Sequence, residues 1–157
     1  MVTPDQLRAA MSRLPTGVTI VSATGAEGPA GATANAVTSL SLEPPLMLAC
    51  LDRGSRTLTV IRETGRFAVN VLGAEDEALA RRFATKAGQP EKWDAVQFER
   101  RHEVPVLTAS IAWVICRVRD LYDGGDHEIA VGEVLELGGN GGEPLIYAAG
   151  EYRPLRS

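Results

Sequence analysis

Aromatic side chains are scarce in this chain. Phe, Trp and Tyr make up 5% of its 157 residues, too few to supply the stacking platforms of a single-strand nucleic-acid binder. Positive charge is not in excess either. Lys and Arg number 16 against 20 Asp and Glu, a formal charge of −4, and no basic stripe stands out to meet a phosphate backbone. Nucleic acid is therefore not expected as a partner. The two cysteines, Cys50 and Cys116, lie far apart without CxxC spacing, and neither histidine sits at ligand spacing, so no metal is expected. Both sit inside apolar runs and read as buried free thiols in a reducing cytoplasm. No apolar run approaches the ~18 residues that span a bilayer. The first residues lack the basic patch and apolar core of a signal peptide. The expectation is a cytoplasmic protein without a membrane segment.

What is present fits one domain over residues 1–157, large enough to bury about 70% of the surface its unfolded chain exposes. Thr3-Pro4-Asp5-Gln6 reads as a capped helix start, and Leu7, Ala10, Met11 and Leu14 give that helix one apolar face. Val18 to Ala23 reads as a strand and Gly25 to Gly31 as a hairpin connection. Leu46 to Leu51 reads as a strand buried on both faces. Ser55 to Thr64 predicts a short amphipathic helix closed by Gly65. Phe67 to Leu72 follows as a strand and Glu75 to Lys86 as a second helix. Gln89 to Pro105 reads as a polar loop anchored by Trp93 and Phe98. Ala109 to Tyr122 and Ile129 to Leu137 form a hairpin across Gly124-Gly125-Asp126. Pro144 to Tyr152 reads as a last strand. Six or seven strands with short helices between them favour a closed or nearly closed barrel.

The stretch from Gly31 to Thr57 organises the rest. Gly31-Ala32-Thr33-Ala34-Asn35-Ala36 and Thr38-Ser39-Leu40-Ser41 combine small side chains with hydroxyls. Such residues let a flat ligand approach backbone N–H and C=O groups. Arg53-Gly54-Ser55-Arg56-Thr57 then opens a helix, where hydroxyls, exposed N–H groups and an arginine suit a phosphate. A plainer reading stands beside each. The Thr/Ser run satisfies its own backbone. Ser55 is an ordinary N-cap. Cys50 is a small core residue, and Phe83 stands at core spacing. His127 is a turn histidine bonded to a nearby carbonyl, and Tyr152 caps the last strand.

Pro15-Thr16-Gly17-Val18, Thr33-Ala34-Asn35 through Pro45, Phe67 to Leu72, Phe83-Ala84, Gly125-Asp126-His127, Gly132-Glu133-Val134 and Pro144 to Tyr147 recur in the order found in the short-chain flavin reductases. The chain resembles that family from about Arg13 to Tyr152. Asn35-Ala36 departs from the serine or bulkier residue frequent in relatives. The resemblance implies a mainly β fold, the FMN-binding split β-barrel of Greek-key type with a few short flanking helices, as a homodimer. It implies an NAD(P)H:flavin oxidoreductase that passes a hydride from NADH (or NADPH) to FMN or FAD and supplies reduced flavin to a separate monooxygenase component. The ring would lie against Thr33, Ala34, Asn35, Ala36, Ser39 and Ser41. The segment Cys50, Leu51 and Asp52 would flank the ring and ribityl chain. Ser55, Arg56 and Thr57 would take the phosphate. Phe83, Ala84 and Lys86 would border the outer edge, His127 would position the nicotinamide, and Tyr152 would close the nucleotide side. Two other readings compete with the reductase: a flavin-binding carrier or sensor without turnover, and a small barrel used only for protein association.

Overall fold

The computed structural model describes residues 1–155. Helix α1 (Pro4–Met11) begins with a full capping box: Thr3 accepts from the Gln6 amide and the Gln6 side chain accepts from the Thr3 amide. Its expected apolar face is not buried. Leu7 and Met11, with Leu14 just beyond the helix, are exposed, and α1 buries none of its residues.

Two-residue β1 (Thr16–Gly17) precedes β2 (Thr19–Gly25). The connection to β3 (Gly28–Ala34) is only Ala26-Glu27, shorter than the segment expected to be a loop. Gly28 takes a positive φ of 111°, which tightens the turn and lets strand pairing resume at once. Strand β4 (Val37–Leu42) turns into β5 (Pro45–Asp52). Burial on β5 is uneven rather than complete on both faces: Ala49 and Leu51 are buried and Met47 packs on the same core, whereas on the other face Leu46 is buried but Leu48 and Cys50 are only half-buried. Cys50 is therefore not the fully buried thiol that Cys116 is.

Helix α2 (Arg56–Thr64) is capped by Ser55 and ends at Gly65 in the left-handed region, as its punctuation predicts. Strand β6 (Arg66–Val71) and helix α3 (Glu77–Ala84) follow. The supposed loop after α3 contains α4 (Gln89–Trp93) and a hairpin, β7 (Phe98–Arg101) with β8 (Val104–Leu107). The hairpin's turn places His102 and Glu103 at positive φ without a glycine, so the usual turn signal is missing. Trp93 is buried as expected. Phe98 is exposed but sets its ring edge-on to Trp93 at 5.1 Å. Long strands β9 (Ala112–Gly124) and β10 (His127–Gly138) form the expected hairpin. The last expected strand is two, β11 (Leu145–Ala148) and β12 (Glu151–Pro154), folded back at Ala149-Gly150, both at positive φ.

Seven strands make one antiparallel sheet in the order β3-β2-β6-β9-β10-β5-β4. The chain leaves the sheet at β5, crosses through α2 and re-enters beside β2 at β6, a Greek-key jump. The sheet does not close, and the architecture is the expected mainly β split barrel. A smaller sheet, β1-β11-β12, stands beside it. One core packs α2 on the large sheet through Leu58, Ile61, Phe67 and Val69. A second seats α3 and α4 through Ala80, Phe83 and Trp93 against Val18, Ile20 and Leu72. These two cores hold the walls of the site described below.

Asn70 ties β2, β6 and β8 together from a fully buried position. Its amide donates to the Ile20 carbonyl and the Ser22 hydroxyl, both at 2.9 Å. Its oxygen accepts from the Leu107 amide at 2.9 Å and the Ser110 hydroxyl at 3.3 Å. Asn70→Leu strands several of these groups without a partner. The expected cost is about 2–4 kcal/mol, read as a lower urea midpoint with an unchanged slope.

Candidate functional site

A cavity of about 770 Å³ opens where four segments meet: the end of β3, the β5–α2 loop, the α3–α4 segment and the β11–β12 pair. That volume lies within the range of small-molecule and cofactor sites. Thr33, Asn35, Asp52, Ser55, Arg56, Phe83, Ala84, Lys86 and Tyr152, all expected from the sequence, line it together.

One wall exists because Gly31 has no side chain. A Cβ there would lie 2.8 Å from the Phe83 ring and 3.0 Å from Trp93. The two rings meet edge-on, with centroids 5.0 Å apart. Gln89 fastens the same strand: its Oε1 accepts from the Gly31 amide at 2.8 Å and from the Trp93 indole at 3.3 Å. Thr33 donates its hydroxyl to the Ala80 carbonyl at 2.6 Å, which pins β3 to α3. The opposite wall is a tight turn. Asp52 accepts from the Gly54 amide at 2.7 Å and its carbonyl accepts from the Ser55 amide at 2.9 Å. The first turn of α2 carries no acidic residue, and although Ser55 takes the Leu58 amide, the helix dipole and the remaining first-turn N–H groups can meet an anion. Arg56 shares this end and pairs with Glu27 at 3.0 Å on the exposed β2–β3 turn.

Lys92 is the charged residue that sequence reading passed over. It lines the cavity yet is only 6% exposed. Its ammonium donates to the Phe83 carbonyl at 3.3 Å and pairs with no carboxylate among the described residues. Burial pushes its pKa below the ordinary lysine value. A buried cation with donors to spare beside a cavity can take up negative charge there. The one local signal was its place beside the buried Trp93 in a helix opened by Pro90. Gln89, Val18 and Tyr147 also line the cavity without having been expected there.

Other expected residues lie outside the lining. Ala34 is buried and its carbonyl accepts the Thr19 hydroxyl at 2.6 Å. The Ala36 carbonyl accepts the Cys50 amide at 2.9 Å, which extends the β4–β5 pairing by one step. Ser39 and Ser41 lie along β4, away from the cavity lining. Leu51 belongs to the α2 core. Thr57 is wholly buried in α2, its hydroxyl without a hydrogen-bond partner. His127 does not line the cavity, but its Cα pairs with that of Asp52 across the β5–β10 ladder, so it stands one strand from the rim. Its ring nitrogen lies 2.7 Å from Asp126, whose carboxyl is held below the usual range by that hydrogen bond. Among the described residues no His, Cys, Asp and Glu cluster could hold a metal ion, and no helix is long and apolar enough to cross a membrane.

A profile of the flavin reductase like domain matches residues 11–156. The chain is 38% identical to an NADH-dependent flavin reductase of a Rhodococcus species, over 98% of this chain and 88% of that protein. It is 38% identical to the reductase component of the 4-nitrophenol 4-monooxygenase/4-nitrocatechol 2-monooxygenase of Rhodococcus opacus, over 94% of this chain and 78% of the other. Its fold superposes on the NADH:FAD oxidoreductase SgcE6 of Streptomyces globisporus, solved in complex with NAD and FAD fragments. The TM-score is 0.89 at 34% identity, over 98% of this chain and 94% of that one.

Gly31→Ala forces a methyl group into the Phe83 and Trp93 rings. It is expected to cost about 1–3 kcal/mol of stability, measured by chemical denaturation.

Proposed function

Because the chain belongs to the flavin reductase like domain family, we propose that it is an NADH:flavin oxidoreductase whose flavin occupies the cavity between β3, α2 and α4. The observation that carries this reading is the pairing of a small-residue wall with unpaired positive ends. Gly31 lets the Phe83 and Trp93 rings close against β3, and Gly31, Ala32 and Phe83 line the cavity together. The α2 N-terminus and the Lys92 ammonium offer donors that no carboxylate satisfies among the described residues.

A bound flavin supplies a two-electron acceptor for the hydride of NADH, chemistry that demands aligned rings more than acid or base. The chain's share is to bind and to orient. Phe83 and Gly31 form the wall against which the ring rests. Ser55, Arg56 and Lys92 draw the anionic tail to one end. His127 and Tyr152 border the nucleotide side, with the Tyr152 ring backed by the Arg81 guanidinium at 5.0 Å from its centroid. Thr33, Ala34, Asn35, Ala36, Ser39, Ser41, Cys50, Leu51, Asp52, Thr57, Ala84 and Lys86 complete the proposed set. Those outside the lining contribute backbone and packing.

The reading extends to the assembly. One domain over residues 1–157 works in the cytoplasm as a homodimer and hands reduced flavin to a separate monooxygenase. The exposed Leu40 and Leu42 of β4 support self-association. The Rhodococcus opacus relative, a monooxygenase reductase component, supports the delivery role.

Loss of NADH absorbance should require both the protein and added FMN or FAD. A protein that binds flavin but does not oxidise either NADH or NADPH would be a carrier and not a reductase. Lys92→Met should weaken flavin binding by about 1.5–3 kcal/mol, read by fluorescence quenching. The lowered pKa sets the pH window. The ammonium is charged below its pKa and neutral above it. Affinity should therefore hold at lower pH and fall as pH rises through a value below the ordinary 10.5 of lysine. The Lys92→Met variant should lack that fall.

A further inference from the structure

The far end of the β9–β10 hairpin overhangs the sheet. Strand β6 accompanies β9 only from Ala112 to Arg117. Beyond Val118, which donates to the Gly65 carbonyl, β9 has β10 alone as its neighbour. The hairpin tip that carries His127 thus has one open edge. It also carries a local fault. Asp123 and Glu128 are direct cross-strand partners, and like charges in that position destabilise a ladder.

Arg53, from the loop that lines the cavity, resolves the fault. Its guanidinium contacts Asp123, donates to Glu128 at 3.0 Å and donates to the Gly125 carbonyl at 2.7 Å. Its amide donates to the Asp126 carbonyl at 3.0 Å. These four contacts bracket His127 on both sides. Glu128, with a side chain 15% exposed, is gripped a second time by Arg62 of α2, at 2.7 and 2.9 Å. Helix α2 itself is immobilised by Thr57, Leu58, Val60 and Ile61, all buried. The hairpin tip is therefore the partner that is held, and α2 the partner that holds it.

We propose that the Arg53–Glu128–Arg62 cluster is a positioning latch that fixes His127 relative to the α2 end of the flavin site, so that the nicotinamide of NADH meets the flavin in register. This rests on the reading of the cavity given above. Arg53 and Glu128 are positioning residues that act through His127. Hydride transfer is sensitive to small misplacements, whereas flavin affinity depends on the groups that line the cavity, and Arg53, Arg62 and Glu128 are not among them. The separate grips on Glu128 also explain its carboxyl, held below the usual range by the Arg62 hydrogen bond and by both guanidinium charges.

The test is steady-state kinetics with NADH and FMN on the full chain, with FMN affinity measured in parallel. Glu128→Gln should raise the KM for NADH or lower the rate about tenfold while FMN affinity stays within about twofold. Arg53→Gln, which spares the Arg62–Glu128 pair, should give the same signature. In a His127→Ala background, Glu128→Gln should have no further effect on NADH kinetics, because the group it positions is gone. An active wild-type protein whose Glu128→Gln and Arg53→Gln variants keep wild-type NADH kinetics would overturn the latch. So would variants that lose FMN affinity along with activity, since the cluster would then be a general brace. Additive losses in the His127→Ala background would overturn it as well. A wild-type protein without flavin-dependent NADH oxidation would instead defeat the reading of the cavity, whatever the variants did.

Discussion

The closeness of Gly31 to two aromatic rings is the contact from which the site takes its shape. Phe83 and Trp93 can lie against β3 only because the strand offers bare backbone there. Their seating fixes α3 and α4, and with them Gln89, Lys92 and that wall of the cavity. A side chain at residue 31 would push that wall away. The same absence that weakens a strand in general here brings a helix pair close enough to enclose a ligand.

Two buried polar residues show how the core and the site differ. Asn70 uses both ends of its amide on four partners and joins three strands. Lys92 has a single carbonyl and faces a cavity. A fold tolerates a buried charge with so little local compensation when a ligand can complete the set. The satisfied residue ties strands of the barrel together, and the unsatisfied one lines the cavity. The α2 N-terminus belongs to the second kind, since its first turn contains no carboxylate of its own.

Signals confined to a few residues were legible. The Thr3 capping box, the Ser55 cap with its Gly65 stop, and the β9–β10 hairpin all follow from punctuation within one turn. The β7–β8 hairpin was not legible, because His102 and Glu103 take the left-handed conformation without the glycine that announces it. The α1 stripe of Leu7 and Met11 has helical spacing, but spacing does not say whether anything covers the face, and among the described residues nothing buries it. Nine of the expected site residues meet in the cavity because they flank strand and helix ends that converge there.

The order of motifs along the chain, read against a known family, was enough to identify the split barrel and the chemistry its relatives perform, since that order reflects local turns, caps and strand lengths. Which side chains face one another across long stretches of chain was decided only by the folded barrel. The guanidinium of Arg53 reaches Asp123 and Glu128, some seventy residues away, and Gln89 reaches back to Gly31. Burial of Lys92 is the same kind of fact. Charge, hydrogen bonding and exposure at these positions depend on neighbours supplied by other strands, and a one-dimensional pattern does not carry the distance between them.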